Sequence, residues 1–222
     1  MSAEGHTVVD PADTKADGYA FHLDGDNVAL DFANTVSRRK AVGETRDNLD
    51  RYGRLVSWAE AARLMTAHEG ASHRKRASEQ PRAAVTALRR AAAVREAIFS
   101  IFSAIAREKA IPVEALSTLD EALPSAFASP RIVRDGETFT VRFASDENDL
   151  AAAVIAPVVR GALDLLTSEA KVRVRECNST TCAWLFLDRS KNGSRRWCDM
   201  KICGNRAKAR RHYAKGKATP EG

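Results

Sequence analysis

The sequence predicts a mainly α-helical fold with a small β component (α+β), divided into a helical amino-terminal domain and a small carboxy-terminal module in which a β-hairpin is followed by a helix. Three observations carry that reading. Apolar residues recur at helical spacing through most of the first 168 positions. All four cysteines fall between Cys177 and Cys203. Charge is split as unevenly: residues 171–217 hold 14 Lys and Arg against 3 Asp and Glu, whereas residues 1–170 hold 21 against 25. Hydrophobic residues make up 44% of the 222, enough to bury a core and to exclude wholesale disorder.

Residues 1–18 are polar and are expected to form a flexible arm. They lack the charged-then-apolar order of a signal peptide, and no apolar run reaches bilayer length, so the expected address is the cytoplasm, away from any membrane. Residues 19–168 form the helical domain. A first helix is expected from about Asn27, and a second across "DRYGRLVSWAEAARLMTAH". The segment "EGASHRKRASEQPR" has the glycine, serine, proline and charge of a loop. In "RAAVTALRRAAAVREAIFSIFSAIARE", Val85, Leu88, Ala92, Ile98 or Phe99, and Phe102 line one helix face, with arginines opposite. "PVEALSTLDEALPSAFAS" continues as a helix opened by Pro112. "RIVRDGETFTVRF" alternates about Asp135-Gly136, a hairpin dipeptide. The stretch from Ser145 reads as a capped helix with an acidic first turn, interrupted or kinked at Pro157.

The cysteines follow the pattern C-x4-C, fifteen residues, C-x4-C. Tetrahedral zinc takes four thiolates, and two paired knuckles joined by a short connector bring them together with little loss of chain entropy. Cys177, Cys182, Cys198 and Cys203 are therefore the expected ligands of one structural zinc ion. A catalytic zinc would keep a position open for water. The bland alternative is four small buried hydrophobes. "VRVREC" and "WLFLD" read as strands on either side of the first knuckle, Asn192-Gly193 as a turn, and Met200 onward as a helix. Trp184, Phe186 and Trp197 are expected around the metal, and His212 on the helix surface.

At these residues the sequence resembles a known family. "CNSTTCAWLFLDRSKNGSRRWCDMKICGNRAKARRHYAK" is similar to the CGNR zinc finger, whose tetrapeptide is Cys203-Gly204-Asn205-Arg206 here. The upstream part resembles the ABATE domain, with its opening signature as "VALDFANT", Val28 to Thr35. The resemblance implies a bacterial, stress-related transcription regulator whose finger (residues 171–217) binds DNA and whose helical domain senses a ligand.

Charge supports that expectation from the residues themselves. On a helix from Met200, Lys201, Lys208, Arg211 and Lys215 fall near one face, while Arg206 and Arg210 are four apart with Tyr213 continuing their stripe. Arg195 and Arg196 extend the positive patch into the connector. Arginines are the candidates for base edges and lysines for phosphates. A solvated basic helix, or one paired with the acidic amino-terminal domain, is the alternative. Asn205 and Arg206 are equally suited to bracing the knuckle. Asp31, Asn34, Thr35 and Arg38 share a helical face and form a candidate effector site, unless they cap or hydrogen-bond neighbouring backbone. No nucleophile–base pair, phosphate loop or carboxylate dyad emerges, so an enzyme is not expected. An adaptor for RNA or protein, and a thiol redox sensor, are the competing functions; a small-molecule effector and a homodimer partner are open expectations.

Overall fold

The computed structural model describes residues 10, 12–16, 18–143 and 149–217. Asn27 caps α1 (Val28–Ala33), its Oδ1 accepting from the amides of Ala29 at 2.8 Å and Leu30 at 3.4 Å. Two short strands, β1 (Val36–Ser37) and β2 (Arg46–Asp47), pair antiparallel behind it. Five longer helices follow: α2 (Tyr52–Ala61), α3 (Ala67–Glu79), α4 (Pro81–Ala106), α5 (Val113–Ala126) and α6 (Ala152–Thr167). Between the last two stands an antiparallel hairpin, β3 (Pro130–Asp135) and β4 (Thr138–Phe143). After a single tight turn, Glu169–Arg173, the chain forms the antiparallel pair β5 (Val174–Glu176) and β6 (Leu185–Leu187), then α7 (Asn205–Lys217).

The core lies along α4, whose buried face runs through Ala84, Leu88, Ala91, Ile98 and Phe102. Phe32 and Trp58 pack there with ring centroids 4.7 Å apart. Val174, Leu185 and Leu187 belong to the same core as α1, α4 and α6. The helical part and the cysteine module thus share one apolar interior. Among the described residues no helix is long and apolar enough to cross a membrane.

Several expectations need correction. The stretch read as a loop is α3. Its start is a capping box, with the Glu69 amide donating to Thr66 Oγ1 at 3.3 Å and the Thr66 amide donating to Glu69 Oε2 at 2.6 Å. The helix is polar because only a thin line, Gly70 and Ala77, is buried, and a bidentate Arg74–Glu60 pair at 2.8 and 2.6 Å ties it to α2. Pro81 opens α4 at its first turn, where a missing amide costs nothing. Not all arginines of α4 face away from the core: Arg95 is 3% exposed, because Asp47 receives it through two bonds of 2.7 and 2.8 Å. The hairpin turn sits one residue later than its dipeptide suggests. Asp135 pairs with Thr138, and Gly136, at φ +61°, takes the left-handed position. The acidic segment before α6 falls largely outside the described residues. That helix begins at Ala152 and runs through Pro157 without a break.

Part of the amino-terminal arm is fixed. The Gly53 amide donates to the Asp13 carbonyl at 2.8 Å, and a Cβ at Gly53 would lie 2.4 Å from the Lys15 carbonyl oxygen. Only glycine lets the arm approach the start of α2 this closely.

Candidate metal centre and nucleic-acid interface

The four cysteine sulfurs lie within 4.8 Å of one another. Cys182 and Cys198 Sγ are 3.8 Å apart, and Cys198 and Cys203 Sγ 3.7 Å. Thiolates about 2.3 Å from a tetrahedral zinc are separated by about 3.8 Å, so the donor set fits one structural zinc ion. Without a cation the site is in conflict. Hydrogen bonds from its neighbours, that of Cys182 first, hold the Cys177 thiol far below its ordinary value, while contact with Cys177 pushes Cys182 and Cys198 far up. A divalent ion resolves this by accepting all four as thiolates.

Each knuckle is built by backbone bonds. The Cys177 amide donates to the Trp184 carbonyl at 2.8 Å, extending the β5–β6 ladder, and the Trp184 amide points at Cys182 Sγ at 3.5 Å. The Asn178 amide donates to the Arg196 carbonyl at 2.9 Å and joins the two knuckles. Before Cys203 the chain makes a wide turn, Met200–Gly204, closed by the Gly204 amide on the Asp199 carbonyl at 3.1 Å. Asp199 caps it through its carboxylate, which accepts from the amides of Lys201 and Ile202. Phe186, Trp184 and Trp197 pack around the cysteines as the sequence suggests.

The "LDRSKNGSRRWC" segment is organised by Asp188, which sequence reasoning passed over. Its buried carboxylate accepts from the Ser190 amide at 2.9 Å, Ser190 Oγ at 2.6 Å and the Arg195 amide at 3.0 Å. Arg195 is committed to the scaffold. Its guanidinium stacks on Phe186 at 4.4 Å and donates to the carbonyls of Trp197, Cys198 and Asp24 and to Asp26. The expectation that Arg195 faces DNA is corrected on that ground, since none of its charge is left to spend outside the fold.

The "VALDFANT" residues do not form an effector pocket. Asn34 is 3% exposed and clasps β6: its Nδ2 donates to the Leu185 carbonyl and its Oδ1 accepts from the Leu185 amide, both at 2.8 Å. Asp31 turns the other way, accepting from the Gly25 amide at 2.8 Å, and burial pushes its carboxyl up to about 6. Thr35 donates to the Phe32 carbonyl at 2.7 Å. Arg38, exposed and at φ +58°, pairs with Glu44. The candidate effector site at these four residues is therefore corrected: a helix of only six residues sends them in different directions, and the buried ones are spent on backbone.

Further bonds lock the finger to the helices. Trp184 Nε1 donates to the Val36 carbonyl at 3.0 Å, and Lys40 Nζ to the Cys177 carbonyl at 2.8 Å. Nothing in the local sequence signals these pairings, because each joins residues more than 130 positions apart.

On α7 the picture is open. Asn205, Arg206, Lys208, Arg210, His212 and Tyr213 are exposed, as are Lys201 in the preceding turn and Arg196 in the connector. The helix contains no acidic residue. Arg211 and Lys215 belong to it, but their side chains lie outside the described residues.

Fold and site together define a two-part zinc-finger protein, in which a helical domain and a four-cysteine module are welded through a common core. The chain belongs to the ABATE family, described as "putative stress-induced transcription regulator", which matches residues 26–169; residues 173–216 match the CGNR zinc finger. No curated protein matches the chain.

Proposed function

We propose that the protein regulates transcription by binding DNA through α7, with zinc as a structural element only. The observation that carries this is the surface of α7: a 13-residue helix with exposed cations, no carboxylate and no apolar face of its own. Such a helix gains nothing from its own fold, and its charge matches a phosphate backbone. Arg206 and Arg210 lie one turn apart with exposed Tyr213 continuing the stripe, and are the candidates for base edges; Lys201 and Lys208 serve phosphates. The helical domain supplies the rigid body that carries the finger.

Fluorescence anisotropy with duplex DNA from the protein's own promoter region tests this reading. Four phosphate contacts give a log K against log salt slope of about −4. The Arg206→Gln/Arg210→Gln double variant is expected to flatten the slope by about 2 while keeping its zinc. An RNA duplex of the same length should bind more weakly, since its deep, narrow major groove excludes a helix. Equal affinity for DNA and RNA, or none for either, refutes specific DNA regulation and favours the adaptor reading.

A further inference from the structure

Between the end of α4 and the finger lies a cleft of about 770 Å³. Lys40, Arg107, Arg175, Arg195 and Arg196 meet there against a single carboxylate, Glu176. Sites for neutral metabolites are mostly apolar. Here Ala106 is the one apolar side chain in the described lining, so an uncharged ligand finds nothing to rest on.

The lone carboxylate is turned inward. Glu176 is 7% exposed and accepts from Arg107 at 2.7 and 2.8 Å, from Lys40 at 2.8 Å and from Ser103 Oγ at 2.8 Å. Burial pushes its carboxyl up, but these bonds, that of Arg107 first, hold it below the usual carboxylate range. Its charge is thereby shared between two cations, and the rest of the cleft is uncompensated. Arg175 uses one terminal nitrogen on the carbonyls of Val172 and Val174, at 2.7 and 3.0 Å. Arg196 lies 5.5 Å from the centre of the Trp197 ring. Neither has a carboxylate partner among the described residues.

We infer that this cleft binds a small molecule bearing adjacent phosphate groups, of the pyrophosphate type. Guanidinium forks pair with phosphate oxygens two at a time, and a lining with four more cations than anions needs more than one anionic group to balance it. The volume accepts a nucleotide. The ligand would touch the end of α4 through Arg107 and the finger through Arg175 and Arg196, so its binding stabilises the joint between them. This inference does not rest on what α7 binds, because the residues of the two surfaces differ.

Isothermal titration of sodium pyrophosphate into the full-length, zinc-loaded, nucleic-acid-free protein tests it. One saturable site is expected, weakened at least about tenfold in Arg175→Gln/Arg196→Gln and unchanged within about twofold in Arg206→Gln/Arg210→Gln. Zinc content and melting temperature report whether each variant is folded; Arg196→Gln alone, at an exposed position, serves if the double variant is not. Absence of a saturable site overturns the inference, as does equal weakening by both pairs of substitutions or equal competition by sulfate at matched ionic strength. If duplex DNA binds and pyrophosphate does not, the cleft inference fails and the α7 reading stands; the reverse result separates them the other way.

Discussion

Asn34 replaced by alanine tests how the two halves are joined. The side chain is 3% exposed and Leu185 is fully buried, so neither the amide nor the carbonyl of Leu185 can turn to water once Asn34 is gone. Leaving a buried backbone group unpaired costs about 1–3 kcal/mol, and two are left, for a loss of about 2–5 kcal/mol. Against a total stability of about 5–15 kcal/mol this is a large fraction. Asn34→Asp sharpens the test. Its carboxylate can still accept from the Leu185 amide, but the second oxygen faces the Leu185 carbonyl and only a protonated acid can donate to it. Burial and that carbonyl raise the folded pKa of the new group. Its stabilising contribution is therefore full below the unfolded value of about 3.9 and is lost as pH rises through the folded value. Urea unfolding followed by tryptophan fluorescence reads both variants, since Trp58 reports the helical core and Trp184 the junction. A loss below about 0.5 kcal/mol in Asn34→Ala, or an Asn34→Asp variant equally stable at pH 5 and pH 8, would refute the clasp.

Two further outcomes follow from the same coordinates. Cys198→Ser should lose the bound zinc, read by metal analysis, and should also lower the melting temperature of the helical part, because Val174, Leu185 and Leu187 sit in its core; a helical part that melts unchanged would contradict the shared interior. Asp31, with its carboxyl pushed up to about 6, favours folding most below the unfolded value near 3.8 and loses that contribution as pH climbs through 6. Asp31→Asn should remove this slope, on the order of 2–3 kcal/mol between pH 4 and 8, in denaturation series; an unaltered slope assigns it to other groups.

The sequence exposes what depends on spacing and hides what depends on distant partners. The zinc ligands were legible because four cysteines at x4 spacing in 27 residues carry their own geometry. The strands flanking Cys177 and Cys182 were legible for the same local reason. Helix α3 was not, since its composition is that of a loop and only Thr66 and Glu69 mark its start. Arg95 and Arg195 read as surface cations until Asp47 and Phe186 are brought to them by the fold. The "VALDFANT" signature is visible as a string, yet its polar residues look like a ligand site because Leu185, the partner of Asn34, lies 151 positions away.

The shared interior also bears on how the chain is made. A ribosome delivers residues in order, so α1, α4 and α6 emerge before the strand Leu185–Leu187 that completes their packing. At about 5–20 residues per second the nascent helices spend some seconds with that apolar seam uncovered. The seam closes only when the second pair of cysteines has been synthesised and the ion has been captured. Metal supply during translation, and not only afterwards, thus governs how much of the chain reaches its final shape.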